Sequence, residues 1–139
     1  MELNTDSRKI ATKGARMVLT NPGTGEEMQD ADGKSAALIL AGKDSDQYRK
    51  AEDAVNRKWQ EEGARSRKFR VTPAMIRAGE LQKLVACTLG WENCSYSGTS
   101  EFSPEVAKAL YEGEPWVLEQ AMTFVDDRSV FLTASTTHS

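Results

Sequence analysis

The sequence predicts an α+β domain in which a short antiparallel β-ribbon of about three strands packs on a C-terminal bundle of about four helices. Three observations predict it. Turn chemistry at Asn21-Pro22-Gly23-Thr24-Gly25 and Asp32-Gly33 separates short apolar runs suited to strands. Two long segments, 44 to about 63 and 73–89, repeat apolar residues at three-and-four spacing, the mark of one buried helical face. Finally, Ser103-Pro104-Glu105 and Glu114-Pro115 each start a helix with proline at the first position, where its missing donor costs nothing.

The length of 139 residues suits one domain with one core. Residues 1–14 offer only Leu3 and Ile10 to bury and are expected to form a flexible arm. Residues 15–132 are expected to form the domain, with 15–43 as ribbon and 44–132 as helices; the polar residues 133–139 are expected to be a disordered tail. In the ribbon, 17–19 and 36–40 (AALIL) are the apolar strands and 26–29 a more exposed one between them.

Ser45 is placed to cap the first long helix, which carries Tyr48, Val55 and Trp59 on one side. Asp53 with Arg57 and Glu61 with Arg65 are acid-before-base pairs four apart. Thr72-Pro73 opens the next helix, with Val71 set to pack back on Ile76. Met75, Leu81, Val85 and Leu89 carry that helix to a stop at Gly90. After the serine-rich loop 92–101 come the two proline-started helices. The second runs from Trp116 through Val117, Ala121, Phe124, Val125 and Arg128 to Phe131 or Leu132.

Little in the chain can do chemistry. His138 is the only histidine, and Cys87 and Cys94 are the only cysteines, too few for a zinc site. The two thiols are expected to be reduced; pairing would require export, and residues 1–14 lack the apolar run of a signal peptide. Gly33-Lys34-Ser35 ends like a phosphate-binding loop, but Met28 stands where that loop needs a glycine, so a hairpin turn is expected. Glu112 with Glu114, and Asp126 with Asp127, are neighbouring acids with no sign of a pocket to shift one pKa. Asn93-Cys94-Ser95 fits the glycosylation triplet, which matters only on secretion. No catalytic, cofactor-binding or metal-binding residue is assigned, and the protein is expected not to be an enzyme.

Two groups of residues are candidates for partner contact. Arg65, Arg67, Lys68 and Arg70 form a basic cluster that suits an acidic partner; the simpler reading is a solvated helix end. A net charge of −3 argues against a whole-protein nucleic-acid footprint. Trp59, Tyr111 and Trp116 are large aromatics of the kind that anchor partners, with closure of the core as the plainer role. No apolar run is long enough to span a bilayer.

Three stretches, NPGTGEEMQDADGKSAALIL, GKDSDQYRKAEDAVNRK and GWENCSYSGTSEFSPEVAKALYEGEPWVLEQAMTFVDDRSVFL, together resemble the tail assembly chaperones of long-tailed bacteriophages. The likeness covers about two thirds of the chain and is one of structural pattern, since no active-site motif is involved. It implies a non-enzymatic helper in the bacterial host cytoplasm during phage assembly. Such a helper binds the tape-measure protein and promotes polymerisation of the tail-tube protein around it, and is often made in two lengths by frameshifting. A homo-oligomer is compatible with that role. The helices 75–89 and 116–131 would form the walls of a groove for an amphipathic helix. The alternatives are a structural virion subunit (tail tube, neck or capsid surface), which would appear in purified particles, and a small DNA-binding regulator using residues 65–70.

Overall fold

The structure, a computed structural model, describes residues 1–136, with side chains through Leu132. Its elements run α1 (Ser7–Lys13), β1 (Ala15–Val18), β2 (Ala37–Leu40), α2 (Asp46–Arg65), α3 (Pro73–Cys87), β3 (Thr88–Glu92), α4 (Pro104–Gly113), α5 (Pro115–Asp126) and α6 (Arg128–Thr136). The class is α+β as expected, with a three-strand antiparallel sheet and, among the described residues, six helices.

The sheet order is β1-β2-β3, with Val18 opposite Ala37 on one side of β2 and Glu92 opposite Ala37 on the other. Both edges of β2 are therefore paired, and Ala37, Leu38 and Leu40 are buried. The expected middle strand at 26–29 is reduced to isolated bridges, Thr20 with Glu27 and Gln29 with Ser35. Its charged residues suit solvent, whereas the second edge of β2 needs a partner that can be buried. β3 supplies one, running from the expected last turn of the preceding helix at Thr88 and Leu89 through its expected stop at Gly90 to Glu92. α3 stops at Cys87, and the Thr88 hydroxyl donates to Leu84 O at 2.7 Å, closing its last turn. Opposite the irregularity between Ile39 and Leu40, the pairing passes from Gly90 to Thr88, so Leu89 has no partner on β2 and is 39% exposed.

A helix precedes the ribbon, within the residues expected to form an arm. Residues 7–13 form α1, whose Ala11 is buried and accepts a hydrogen bond from Gly42 N–H at 3.0 Å. Arg8 pairs with Asp46, and Thr12 Oγ1 accepts the Asp46 N–H at 3.0 Å, so the arm is fastened to the start of α2.

The core lies between the sheet and the helices α3, α4 and α5, around Leu38, Leu40, Cys87, Tyr111, Val117 and Ala121. Val117, Ala121 and Val125 face it, as their spacing predicts. Gln120 ties α5 to the loop after β1 at two points: its Oε1 accepts Thr20 N–H at 3.1 Å, and its Nε2 donates to Thr20 O at 2.6 Å.

The single last helix expected from 116 to 132 is two helices, broken at Asp127. That carboxylate accepts from the Ser129 N–H at 3.0 Å and the Ser129 hydroxyl at 2.6 Å, giving α6 its own cap. The break turns Phe131 back onto Gly42, where it meets Phe124 edge to face at 5.5 Å between centroids. Thr133 to Thr136, expected to be tail, form the end of α6, and the disorder expected of 137–139 lies outside the described residues.

The seat of α6 depends on two carboxylates. Arg128 reaches Asp44 with two hydrogen bonds, 2.7 and 2.9 Å, and this holds the Asp44 carboxyl below its ordinary value of 3.8. The Ser129 hydroxyl and amide lower Asp127 in the same way. Depressed folded values stabilise above the unfolded pKa, and that stabilisation is lost as pH falls through the folded value. Amide exchange of α6 should therefore accelerate relative to β2 when pH drops below 3.8. Equal acceleration of both elements would remove these carboxylates from the seating of α6.

Candidate functional site

α2 and α3 form an antiparallel helical pair whose starts are set by local chemistry. Ser45 Oγ accepts the Tyr48 N–H at 3.1 Å, and Thr72 Oγ1 accepts the Met75 N–H at 3.2 Å with Pro73 at the first position. Between them, 66–72 turn on Ser66, whose carbonyl accepts Phe69 N–H at 3.2 Å and whose hydroxyl accepts Lys68 N–H at 3.2 Å.

The pair leaves the core partway along. Ala51 and Val55 of α2 and Gly79, Leu84 and Cys87 of α3 are buried, but no residue from 56 to 78 is. The ten residues from 56 to 65 carry α2 about 15 Å past Val55. At the root of this arm the helices approach closely over Gly79. A Cβ there would lie 3.2 Å from Val55 Cγ1 and 3.6 Å from Trp59 Cζ2. A groove of about 80 Å³ opens beside it, floored by Val55, Trp59, Ile76 and Gly79 and rimmed by Glu52, Glu80 and Lys83. Ile76 is 48% exposed and Val71 43%, which is more than the staple expected at the start of α3 would leave.

The sequence-predicted contact residues are dispersed. Trp59 lies half-buried in this groove. Trp116 is on α5, half-buried, and its indole N–H donates to Glu114 Oε2 at 3.0 Å. Tyr111 is 1% exposed, with its hydroxyl 2.7 Å from Thr88 Oγ1; it belongs to the core and offers no surface. Between the 75–89 and 116–131 helices, where a groove is expected, the space beside Leu84 and Val125 is small. Tyr48, Lys83, Leu84, Met122 and Val125 leave about 10 Å³ there, and Lys83 Nζ lies 5.3 Å from the centre of the Tyr48 ring.

Arg65, Arg67, Lys68 and Arg70 are exposed at the tip of the arm. Arg70 donates to Phe69 O at 2.9 Å, and no ion pair among the described residues involves any of the four. Nor do the expected pairs Asp53–Arg57 and Glu61–Arg65 form among those residues. Ile76, Val71 and Gly79 were not singled out as contacts in the sequence. The exposure of an isoleucine one position from the α3 stripe is visible only once the stripe's direction is known.

Cys87 is a free thiol whose pKa burial pushes up to about 11, so it stays protonated and a poor nucleophile at neutral pH. Gly33-Lys34-Ser35 forms a turn in which Asp30 Oδ1 accepts the Asp32 and Lys34 N–H groups, both at 2.9 Å, and Gly33 has φ +77°. Among the described residues no three potential ligands converge on a metal position, and no helix is long and apolar enough to cross a membrane. No protein-family model, curated protein or solved structure matches the chain.

Proposed function

We propose that this protein is a non-enzymatic chaperone of phage tail assembly, which shelters an amphipathic helix of the tape-measure protein while tail-tube subunits assemble around it in the host cytoplasm. One observation carries the binding role. The α2–α3 arm stands clear of the core with Trp59 and Ile76 beside a groove at its root. An aromatic anchor and a β-branched side chain flanking a shallow channel suit the periodic apolar stripe of a helix, which docks residues at i, i+3 or i+4, and i+7. The polar rim of Glu52, Glu80 and Lys83 keeps the empty groove soluble and fixes the approach of the incoming helix. The phage assignment is supported by the sequence resemblance alone.

The test is co-expression with the tape-measure protein. Trp59→Ala with Ile76→Ser removes the apolar surface but touches only exposed or half-buried positions, so the domain should stay folded by circular dichroism. Capture of the tape-measure protein should fall at least about tenfold, as loss of an aromatic anchor at a docking site does. Trp116→Ala, on another element, should leave capture intact. Unchanged capture by the double variant, or recovery of the protein as a stoichiometric band of purified particles, would end this reading.

A further inference from the structure

The charge of this chain is sharply divided in space. Residues 57–77, the outer part of the arm, hold seven cations (Arg57, Lys58, Arg65, Arg67, Lys68, Arg70, Arg77) against Glu61 and Glu62, a net of +5; with −3 for the whole chain, the remainder carries −8. All seven cations are exposed, and none is in an ion pair among the described residues. The opposite charge is gathered on α4, α5 and their flanks. Residues 101–127 hold Glu101, Glu105, Glu112, Glu114, Glu119, Asp126 and Asp127 against Lys108, a net of −6. All of these acids are exposed except Glu114, which is half-buried.

We propose that the basic tip of the α2–α3 arm docks on the acidic α4–α5 face of a second copy of this chain. Each surface has on the same molecule the complement that the other needs, and no ion pair among the described residues joins the two. Phe69, half-buried at the tip, and Val71, 43% exposed, add apolar area to the ionic contact. A body of −8 repels phosphate backbones, so the same cations are poorly placed for nucleic acid. The two surfaces are different, so the contact is heterologous: each copy that receives an arm still offers its own, and association continues into a ring or a filament. This contact is separate from the Trp59 groove and does not depend on the proposed function.

Sedimentation velocity on the full chain over a concentration series tests it. At ~20 mM salt, where screening is weak, the average mass should rise with concentration, and at ~500 mM salt the monomer should return. Arg65→Glu, Arg67→Glu, Lys68→Glu and Arg70→Glu combined should weaken low-salt association at least ~100-fold, as should Glu105→Arg, Glu112→Arg and Glu119→Arg combined. Mixing the two variants restores both arm-to-face contacts and should restore association. A control chain that carries the four arm substitutions together with Glu26→Arg, Glu27→Arg and Asp32→Arg, so that its added cations lie off the α4–α5 face, should not restore association when mixed with the arm variant. A native chain that stays monomeric at low salt overturns the proposal. So does native-like association of either variant alone, failure of the mixture, or equal rescue by the control.

Discussion

Tyr111→Ala is expected to cost about 3–5 kcal/mol, the range for deleting a buried aromatic side chain. Tyr111 is the largest fully buried side chain, and its ring fills the space between α4 and the end of α3. Its hydroxyl also has a defined role. Thr88 Oγ1 gives its proton to Leu84 O, so Thr88 accepts from Tyr111 at 2.7 Å. That chain of two bonds fastens α4 to the point where α3 becomes β3. Burial raises the phenol pKa well above its ordinary value, so the donor stays protonated through the alkaline range. With total stabilities of about 5–15 kcal/mol for such domains, the alanine variant should lose about a fifth or more of its stability in urea unfolding. Tyr111→Phe keeps the ring and loses one bond, at about 1 kcal/mol. It should also leave partner capture untouched. A Tyr111→Ala chain within about 1 kcal/mol of the parent would contradict the buried placement.

Tyr111 also shows how the sequence misleads about sites. An aromatic beside Glu112 and Gly113 reads as an available anchor, yet Ala107, Leu110 and Tyr111 stand at i, i+3 and i+4 and form the buried face of α4. The signal was there in the spacing. Trp59 was legible as an aromatic on a charged helix, but its groove was not. Gly79 and Ile76 become its floor only when α3 packs across α2, a contact fixed by residues about twenty positions apart.

The fold divides along the same line between local and distant causes. The starts of α2, α3, α4 and α5 were legible because caps and N-terminal prolines act within one turn. β3 was not, since Leu81, Val85 and Leu89 continue a helical period straight through the point where the chain changes state. What ends α3 is the unpaired edge of β2, roughly fifty residues earlier. α1 was missed because its only buried residue is Ala11 and Asp6 makes no side-chain cap bond. Its stability comes from α2 and α6, which no local pattern announces. The break at Asp127 had a local sign, an acid two residues before a serine, outweighed by the longer apolar stripe.

Gly14→Val is the second large effect, expected at about 2–5 kcal/mol from two separate sources. Gly14 joins α1 to β1 with φ +88° and ψ 173°, a region open essentially to glycine alone. A side chain there also meets a wall. Its Cβ would lie 3.0 Å from Leu40 O, which belongs to the central strand and cannot retreat, and 2.8 Å from Leu89 Cδ1, which can. Gly33 separates the two costs. It also has positive φ, +77°, but nothing lies within 4 Å of a Cβ placed on it, so Gly33→Ala should show backbone strain only, about 1 kcal/mol. Asparagine, which relieves strain where glycine is left-handed helical, should give no rescue at Gly14 because ψ there is extended. Since Ala15 pairs with Leu40 directly after this joint, α1 and β1 should lose amide protection first and β2–β3 last. Uniform loss across the sheet would mean that β1 and β2 unfold as one unit and that the clash with Leu40, more than the joint itself, sets the cost.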